Sequence, residues 1–181
     1  MASHVRVATP GDAEQVRSIY GPVVRDTAIS FETEVPTAER LAERIETTLR
    51  TLPWFVHEQD GEIMGYAYAT QLRERAAYRW SVEVSVYVRP HARTSGVGRG
   101  LGNAVLDALT EQGYVNAFGI VALPNPGSVR LMESLGFFQV GVLRKAGYKL
   151  GAWHDVGWWQ RTLARHSDEP SEPVPFAQLT R

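Results

Sequence analysis

A glycine-containing segment at residues 93–100, Arg-Thr-Ser-Gly-Val-Gly-Arg-Gly, lies between a predicted strand and a predicted helix. Backbone N–H groups in such a position, together with the positive end of the helix dipole, can bind a phosphate group. Glycine suits the position because a side chain would hold the anion away from the backbone. The alternative interpretation is a helix start with small residues for packing. We favour a site for a phosphate-bearing ligand.

Three phosphate-binding patterns can be compared with this segment. A Walker A loop needs Gly-Lys-Ser/Thr at its end, whereas Gly98 is followed by Arg-Gly. The dinucleotide pattern G-x-G-x-x-G needs a glycine where Leu101 stands, and a strand that opens a βαβ unit instead of following a hairpin. The pattern that remains is Gln/Arg-x-x-Gly-x-Gly/Ala, which binds the pyrophosphate of acetyl-CoA. Arg93-x-x-Gly96-x-Gly98 matches it.

The strand before this segment, Ser81 to Val88, carries a carboxylate. Because side chains alternate along a strand, its four valines fall on one face, and Ser81, Glu83, Ser85 and Tyr87 fall on the other. An interior strand of a helix-covered sheet is usually apolar on both faces, so a polar face indicates a cleft. The alternative is a strand whose second face meets solvent.

The elements around these residues follow from hydrophobic periodicity and capping signals. Thr9-Pro10 and Thr37 mark helix starts, and Asp60-Gly61 between two β-type runs indicates a hairpin. The order of elements predicts a mixed α/β sheet covered by helices. The predicted strands are 5–8, 54–58, 63–68, 81–88, 117–123, 137–143 and 156–163. Four helices are predicted: one begins near residue 10, one begins near residue 37, and the other two span 98–113 and 129–135.

Composition excludes several classes of protein. The chain has 181 residues, which suits one globular domain, and its net charge of -1 supplies no electrostatic footprint for nucleic acid. Without cysteine there is no disulfide framework, thiolate nucleophile or Cys-rich zinc site. No signal peptide and no membrane span are predicted. We expect a soluble, cytoplasmic protein with one domain at residues 1–166 and an extended, Pro-rich acidic tail at 167–181 that carries no chemistry.

Three short motifs, taken in order, resemble those of the GNAT superfamily of N-acetyltransferases. They are Ser85-Val86-Tyr87-Val88-Arg89-Pro90, then Arg93 to Gly98, then Leu135-Gly136-Phe137. Residues 77–80, 123–130 and 153–160 resemble phosphinothricin acetyltransferases, which are themselves similar to methionine sulfone and sulfoximine acetyltransferases. The likeness implies the GNAT fold, with a central, mostly antiparallel sheet flanked by helices. It also implies acetyl transfer to the α-amine of a small amino acid.

The resemblance further implies how acetyl-CoA binds. The backbone of β-strand residues 86–88 is expected to pair with the pantetheine arm as another strand would, because the pantetheine amides need hydrogen-bond partners once they are buried. The pyrophosphate is expected on residues 94–99, and the facing strand end is expected to bind the arm. The expected cofactor-binding residues are Val86, Tyr87, Val88, Thr94, Ser95, Gly96, Val97, Gly98, Arg99, Asn125 and Ser128.

Glu83 falls where the family places its general base. The attacking amine is protonated near neutral pH, so its proton must be removed directly or through water. A backbone N–H of the same strand, such as that of Val86, could donate to the thioester oxygen. Many superfamily members have a tyrosine acid where this chain has Met132. No side-chain acid is therefore assigned, since a thiol pKa of about 8.5 allows water to protonate the leaving thiolate.

The amino-acid substrate is expected to lie against Phe31, Arg73, Arg75 and Tyr78, because in phosphinothricin acetyltransferases the residues at the matching positions lie near the amino-acid substrate. The alternative for residues 73–78 is a solvated loop. His154, followed by an aspartate, could form an acid–base pair, but among several tryptophans a structural histidine is favoured. The other histidines show no metal-ligand spacing, so no metal is expected.

Two other functions stay open at this point. One is acetylation of a protein N-terminus or a polyamine, although the arginines argue against a polyamine. The other is a catalytically idle sensor that binds acyl-CoA, although Glu83 argues against it because a sensor needs no base. The resemblance also implies a homodimer, with the aromatic-rich late strands as candidate contacts. No nucleic-acid or membrane partner is expected.

Overall fold

Seven strands form one sheet, and four α-helices pack on its two faces, in the part of the chain that the computed structural model describes, residues 3–179. Short 3-10 turns connect several of these elements. In chain order the elements are β1 (Ser3–Val7), α1 (Ala13–Asp26), α2 (Ala38–Leu49), β2 (Trp54–Gln59), β3 (Glu62–Gln71), β4 (Ser81–Val88), α3 (Val97–Gln112), β5 (Asn116–Leu123), α4 (Pro126–Ser134), β6 (Phe138–Lys149) and β7 (Ala152–Thr162).

The strand order is β1-β2-β3-β4-β5-β7-β6, and β4 with β5 is its one parallel pair in the described chain. All the other neighbours are antiparallel. The predicted mixed, mostly antiparallel sheet flanked by helices is therefore confirmed. The parallel pair is short, because only Ser81–Glu83 and Asn116–Phe118 are paired in it.

Local signals position several of these elements. The side chain of Thr37 accepts a hydrogen bond from the backbone N–H of Arg40 at 3.2 Å, which caps α2 as its position in the sequence predicts. Asp60 and Gly61 have φ angles of 50° and 85° in the tight turn between β2 and β3. Glycine tolerates this left-handed conformation and aspartate adopts it more readily than most residues, so the Asp-Gly pair fixes the hairpin there.

The two faces of β4 meet different parts of the core. Val82 and Val84 are buried in the cluster that α3 covers. On the opposite face, the ring of Tyr87 packs edge-on against Tyr20 of α1 at 5.1 Å and stacks on Tyr66 at 5.2 Å. At Tyr87 the polar face of β4 therefore packs against α1, and the other residues of this face are half-buried.

The last hairpin and α4 differ from the sequence-based boundaries. Strands β6 and β7 extend to a tight turn at Leu150 and Gly151, whose φ angles are 51° and 78°, so the hairpin is longer than 137–143 and 156–163. Helix α4 begins at Pro126 instead of 129, because Asn125 caps it and proline suits a first helical turn.

The C-terminal segment, described up to residue 179, contains a 3-10 turn at Phe176–Gln178 and packs against the domain. Phe176 is buried in the α3-side core. Trp80 donates its indole N–H to the carbonyl of Ser171 at 2.8 Å, and Gln112 donates to the carbonyl of Val174 at 2.7 Å. The division into residues 1–166 and a tail at 167–181 stays a prediction, and its residues 1, 2, 180 and 181 lie outside the described part.

A search of residues 3–179 for helices with the length and apolar character needed to cross a membrane finds none.

Candidate active site

A cleft opens where the parallel strands β4 and β5 separate. Glu83 and Phe118 form the last pair of their ladder, yet β4 continues to Val88 and β5 continues to Leu123. The two strand ends therefore diverge from a vertex at Glu83. The residues that line the cleft between them are Ile29, Val84, Ser85, Val86, Tyr87, Ile120, Val121, Ala122, Asn125, Ser128 and Met132.

The direction of the β4 backbone can be read from its pairing with β3. The backbone N–H of Arg89 donates to the carbonyl of Met64 at 2.9 Å. The backbone N–H and C=O groups of successive residues point to opposite sides of an antiparallel strand. Those of Tyr87 therefore also point toward β3, while those of Val86 and Val88 point into the cleft. The carbonyl oxygen of Tyr87 accordingly lies 2.8 Å from where a Cβ on Gly65 of β3 would be. Unpaired N–H and C=O groups on this edge fit the amides of an extended pantetheine arm.

The glycine segment forms an open start to α3. Gly96 is the N-cap residue with φ 90°, and no side chain caps the helix. Thr94 has φ 67°, and Ser95 donates its hydroxyl to the carbonyl of Ala92 at 2.7 Å. A Cβ on Gly96 would meet no atom within 4 Å. A helix leaves its first backbone N–H groups without internal partners, so this open turn fits a pyrophosphate.

Gly98 is more enclosed than Gly96. A Cβ at this position would lie 3.4 Å from the side chains of both Val88 and Leu131. A methyl group would therefore be in close contact with the end of β4 and with α4, and a longer side chain would have to displace them or turn toward the loop.

Asn125 and Ser128 lie at the far end of β5, and both line the cleft. The side-chain oxygen of Asn125 accepts a hydrogen bond from the backbone N–H of Ser128 at 3.1 Å, which caps α4. Because only the oxygen is used, the amide NH₂ group of Asn125 keeps its donors for a ligand.

Glu83 carries a half-buried carboxylate, and its backbone lies at the vertex where β4 and β5 separate. Within residues 3–179 it has no hydrogen bond or ion pair. Burial raises the pKa of Glu83, and the positive charge of Arg73 opposes that rise. The guanidinium of Arg73 lies over the ring of Trp158 at 5.1 Å, which fixes its direction. A carboxylate with a raised pKa and unused lone pairs is suited to accept a proton.

The four expected acceptor-binding residues lie in different surroundings. The positive charge of Arg73 acts to lower the pKa of Glu83. Phe31 is 41% exposed, and its ring packs against Gly147 of β6 so closely that a Cβ on this glycine would come within 2.1 Å of it. Arg75 and Tyr78 are exposed, and their side chains make no hydrogen bond among the described residues. The role of all four in binding stays a prediction.

Several cleft residues were not named as site residues from the sequence, among them Ile29 and Ile120. Ile120 follows Phe118 at a spacing of two on β5, so the alternation of that strand could have revealed it. Ile29 lies in the connection between α1 and α2 and carries no local signal. Met132 is buried and closely packed, since a Cβ on Gly119 would lie 2.5 Å from its sulfur. Its thioether cannot donate a proton, so this position supplies no acid.

His154 and its neighbour do not form an acid–base pair. The ring nitrogen Nε2 of His154 lies 3.1 Å from the carbonyl oxygen of Lys149. The carboxylate of Asp155 instead accepts hydrogen bonds from the guanidinium of Arg144 at 2.7 Å and from the backbone N–H of Lys145 at 2.8 Å. Both residues therefore stabilise the β6–β7 hairpin.

A second cavity of about 520 Å³ lies between α2 and β3, and Thr70 in its lining pairs with Glu83 across the two strands. Its charged residues already have partners. Arg44 holds the two carboxylate oxygens of Glu32 at 2.7 and 3.2 Å, and Arg40 pairs with a nearby glutamate. Because these charges are compensated, the cavity is poorly suited to a free carboxylate. No group of side chains within residues 3–179 could hold a metal ion.

A sheet that splays at a carboxylate, beside a helix start open to phosphate, fits an enzyme that uses an acyl-CoA as donor. The sequence model of the acetyltransferase (GNAT) domain family matches residues 5–158. The chain therefore belongs to the GNAT acetyltransferase family. It is an N-acetyltransferase, and acetyl-CoA is its co-substrate, as the sequence predicts.

Within the family, the chain is similar to acetyltransferases that are named for amino-acid-like substrates. The chain is 37% identical to a phosphinothricin N-acetyltransferase of Streptomyces viridochromogenes over 98% of this chain and 94% of that protein. It is 33% identical to an L-methionine sulfoximine/L-methionine sulfone acetyltransferase of Salmonella typhimurium, over 90% and 96%. A crystal structure of a phosphinothricin acetyltransferase from Sinorhizobium meliloti in complex with acetyl-CoA is similar at a TM-score of 0.90 and 31% identity, covering 100% of both chains.

Proposed function

We propose that this N-acetyltransferase acetylates the α-amine of a small amino acid, or of an analogue with a polar side-chain end such as phosphinothricin, methionine sulfone or methionine sulfoximine. The observation that carries the proposal is the position of Glu83, half-buried at the vertex where β4 and β5 separate and within the electrostatic influence of Arg73. The names of the relatives support this class of acceptor.

Glu83 is the proposed general base. Its carboxylate accepts the ammonium proton of the amino acid, directly or through one water, so that the lone pair becomes free to attack. Burial helps because it raises the pKa of Glu83 toward the pH at which the enzyme works. Glu83 thus takes the proton from the amine close to β4, the strand that is proposed to bind acetyl-CoA.

The donor is held mainly by backbone groups. Acetyl-CoA supplies an activated acetyl thioester. The groups of Val86 and Val88 that face the cleft pair with its pantetheine amides, whereas Tyr87 contributes its side chain to the wall. Residues 94–99 bind the pyrophosphate, and Asn125 and Ser128 bind the opposite side of the arm. The N–H of Val86 is the proposed donor to the carbonyl oxygen of the acetyl group.

Water is the proposed acid for the departing thiolate, because the buried Met132 occupies the position that the family gives to a tyrosine. Phe31, Arg73, Arg75 and Tyr78 are the proposed residues around the amino acid. An arginine fork suits a carboxylate or another group with two oxygens. Arg73 is the better placed of the two arginines, since its charge acts on Glu83 and its guanidinium is held over the ring of Trp158.

A homodimer is proposed because apolar side chains are exposed on the β6–β7 hairpin. Leu150 at its turn is 62% exposed, Tyr148 is 61% exposed and Trp153 is 60% exposed. Together with Phe138 and Leu143 they form an apolar surface of the kind that a second copy would cover. A monomeric mass by light scattering at micromolar concentration would contradict the dimer. We also propose that the enzyme works in the cytoplasm.

Thiol release from acetyl-CoA tests the acceptor class. Phosphinothricin, methionine sulfone, methionine sulfoximine and the standard amino acids are assayed beside an N-terminal peptide and spermidine. Turnover with the amino-acid set supports the proposal. Preference for the peptide or for spermidine contradicts it, and binding of acetyl-CoA without turnover of any amine would indicate a sensor.

A further inference from the structure

Lys149, the last residue of β6, is a buried lysine that the proposed mechanism does not use. It is 7% exposed. Its ammonium group donates to the carbonyl oxygens of Val24 and Ser30, each at 2.6 Å. An ammonium group that leaves water needs such partners, and here both are backbone atoms. The contact therefore fixes main chain as well as a side chain.

The two carbonyls lie on either side of the end of α1. Val24 is in the last turn of this helix, where carbonyl groups lack internal partners and the helix dipole is negative. Ser30 is in the connection that leads to α2. Burial lowers the pKa of Lys149, and the carboxylate of Glu32 in the same connection opposes that change. One ammonium group thus ties the helix end to the connection that follows it.

This connection carries two residues of the site, one on each side of Ser30. Ile29 lines the cleft between β4 and β5. Phe31 lies on Gly147, two residues before Lys149 in β6. Because the tied carbonyl lies between them, the contact with Lys149 sets the position of both side chains.

The side chain of Ser30 holds the connection from its other side. Its hydroxyl lies 2.7 Å from the hydroxyl of Tyr20, which in turn donates to Glu32 at 3.1 Å. Glu32 is paired with Arg44 of α2 at 2.7 Å. The connection is therefore held by α1, α2 and β6 together, and the hydrogen bond from Lys149 comes from the late part of the chain.

We propose that Lys149 is a positioning residue for the amino-acid acceptor, acting through Ser30 on Ile29 and Phe31. The inference rests on the proposed function. Loss of the ammonium group should let the connection between α1 and α2 move away from the cleft. Binding of the acetyl-CoA pyrophosphate should be little affected, because the glycine segment at residues 93–100 is held by α3 and its own turn.

The chain offers a matched control for a substitution test. The sequence contains two lysines, and the other one, Lys145, is exposed on the same strand as Lys149. Lys149→Met should lower the acceptor kcat/KM about tenfold or more, because small displacements of positioning groups have effects of that size. The KM for acetyl-CoA should change less than about twofold. Lys145→Met should change neither, and Lys149→Arg should restore activity only in part.

Hydrogen exchange on the same variants gives a readout that does not depend on catalysis. The amide of Ile29 is bonded to the hydroxyl of Thr27 at 3.1 Å, and the amide of Glu32 is bonded to the hydroxyl of Ser30 at 3.2 Å. Both amides should exchange faster in Lys149→Met, while amides of α3 keep the wild-type rate. If wild-type enzyme acetylates no amino acid, the proposed function fails, and exchange still tests the positioning role.

The proposal is overturned by unchanged acceptor kinetics together with unchanged exchange of these two amides. It is also overturned if Lys149→Met raises the KM values for both substrates equally and speeds exchange throughout the chain, since that pattern means a general loss of stability. Should Lys149→Met fail to fold, Lys149→Arg is measured in the same two ways, and faster exchange confined to the connection supports the proposal.

Discussion

The proposed donor side and the proposed acceptor side of the cleft are built from different parts of the chain. On the donor side, β4, the glycine segment and α3 follow one another within residues 81–112, and Asn125 comes soon after. On the acceptor side, Phe31, Arg73 and Lys149 come from three distant segments. The hydrogen bonds that Lys149 makes to the connection between α1 and α2 span 119 and 125 residues.

This difference explains why a pyrophosphate site can be read from a short motif whereas an amine site cannot. A helix start binds phosphate through its own backbone, so a few consecutive residues determine it. An acceptor site built from loops depends on which distant residues hold those loops. The donor side should therefore tolerate changes on the acceptor side, and the reverse should hold as well.

The largest expected effect is at Glu83, where the two sides meet. Glu83→Gln should lower turnover by about 10²-fold or more, because glutamine cannot accept the proton of the amine. Affinity for acetyl-CoA should stay near the wild-type value, since the carboxylate acts on the amine. Steady-state kinetics and calorimetry measure the two quantities. Turnover near the wild-type rate would remove Glu83 from the mechanism.

Gly98→Asp should disrupt the donor side alone. The new carboxylate lies at the proposed pyrophosphate site, so affinity for acetyl-CoA should fall by about tenfold or more through charge repulsion. Gly98→Ala is the matched control, because it adds the same Cβ, 3.4 Å from Val88 and Leu131, without the charge. Equal affinities of the two variants in calorimetry would show that the pyrophosphate lies elsewhere.

Arg75→Ala should disrupt the acceptor side alone. The amino-acid KM should rise about tenfold, since leaving an anionic group without its charged hydrogen bonds costs roughly 1.5–3 kcal/mol. Arg75→Lys should restore it only in part, because lysine lacks the planar fork. Arg79→Ala is the control, as the guanidinium of Arg79 is held by Glu172. Normal kinetics of both Arg75 variants with every active amino acid would make this loop a solvated surface.

The sequence predicts the elements that form the proposed donor side, and there is a physical reason why it does not predict how the segments of the proposed acceptor side come together. The valine and polar faces of β4, the start of α3 and the Asp60-Gly61 hairpin all depend on local patterns, and the structure has them where expected. Ile29 and Lys149 gain their surroundings only when β6 meets the end of α1. Nothing within a few residues of either could reveal that contact.

The pH dependence should reflect the electrostatic interaction between Arg73 and Glu83. Burial raises the pKa of Glu83 above its ordinary value of 4.5, so kcat/KM should begin to fall on the acid side at a pH above that value. Arg73 opposes the rise in the pKa of Glu83, so Arg73→Gln should move the acid limb to higher pH. Profiles of kcat/KM with saturating acetyl-CoA measure both. A limb that stays in place in Arg73→Gln would mean that another group controls it.

The smallest expected effect is a gain in stability from Glu83→Gln. Because burial raises the pKa of Glu83 in the folded chain, the folded state binds this proton more tightly than the unfolded state does. Stability therefore falls as pH rises from the unfolded to the folded pKa, and above the folded pKa the full cost of burying the charge is present. Glutamine removes that cost, so the variant should melt at a higher temperature than wild type at pH 8. The difference should shrink as the pH is lowered toward the ordinary pKa of glutamate, where the wild-type side chain is protonated as well. Thermal unfolding followed by circular dichroism at both pH values tests this, and an equal or lower melting temperature at pH 8 would mean that Glu83 has partners in solution that compensate its charge.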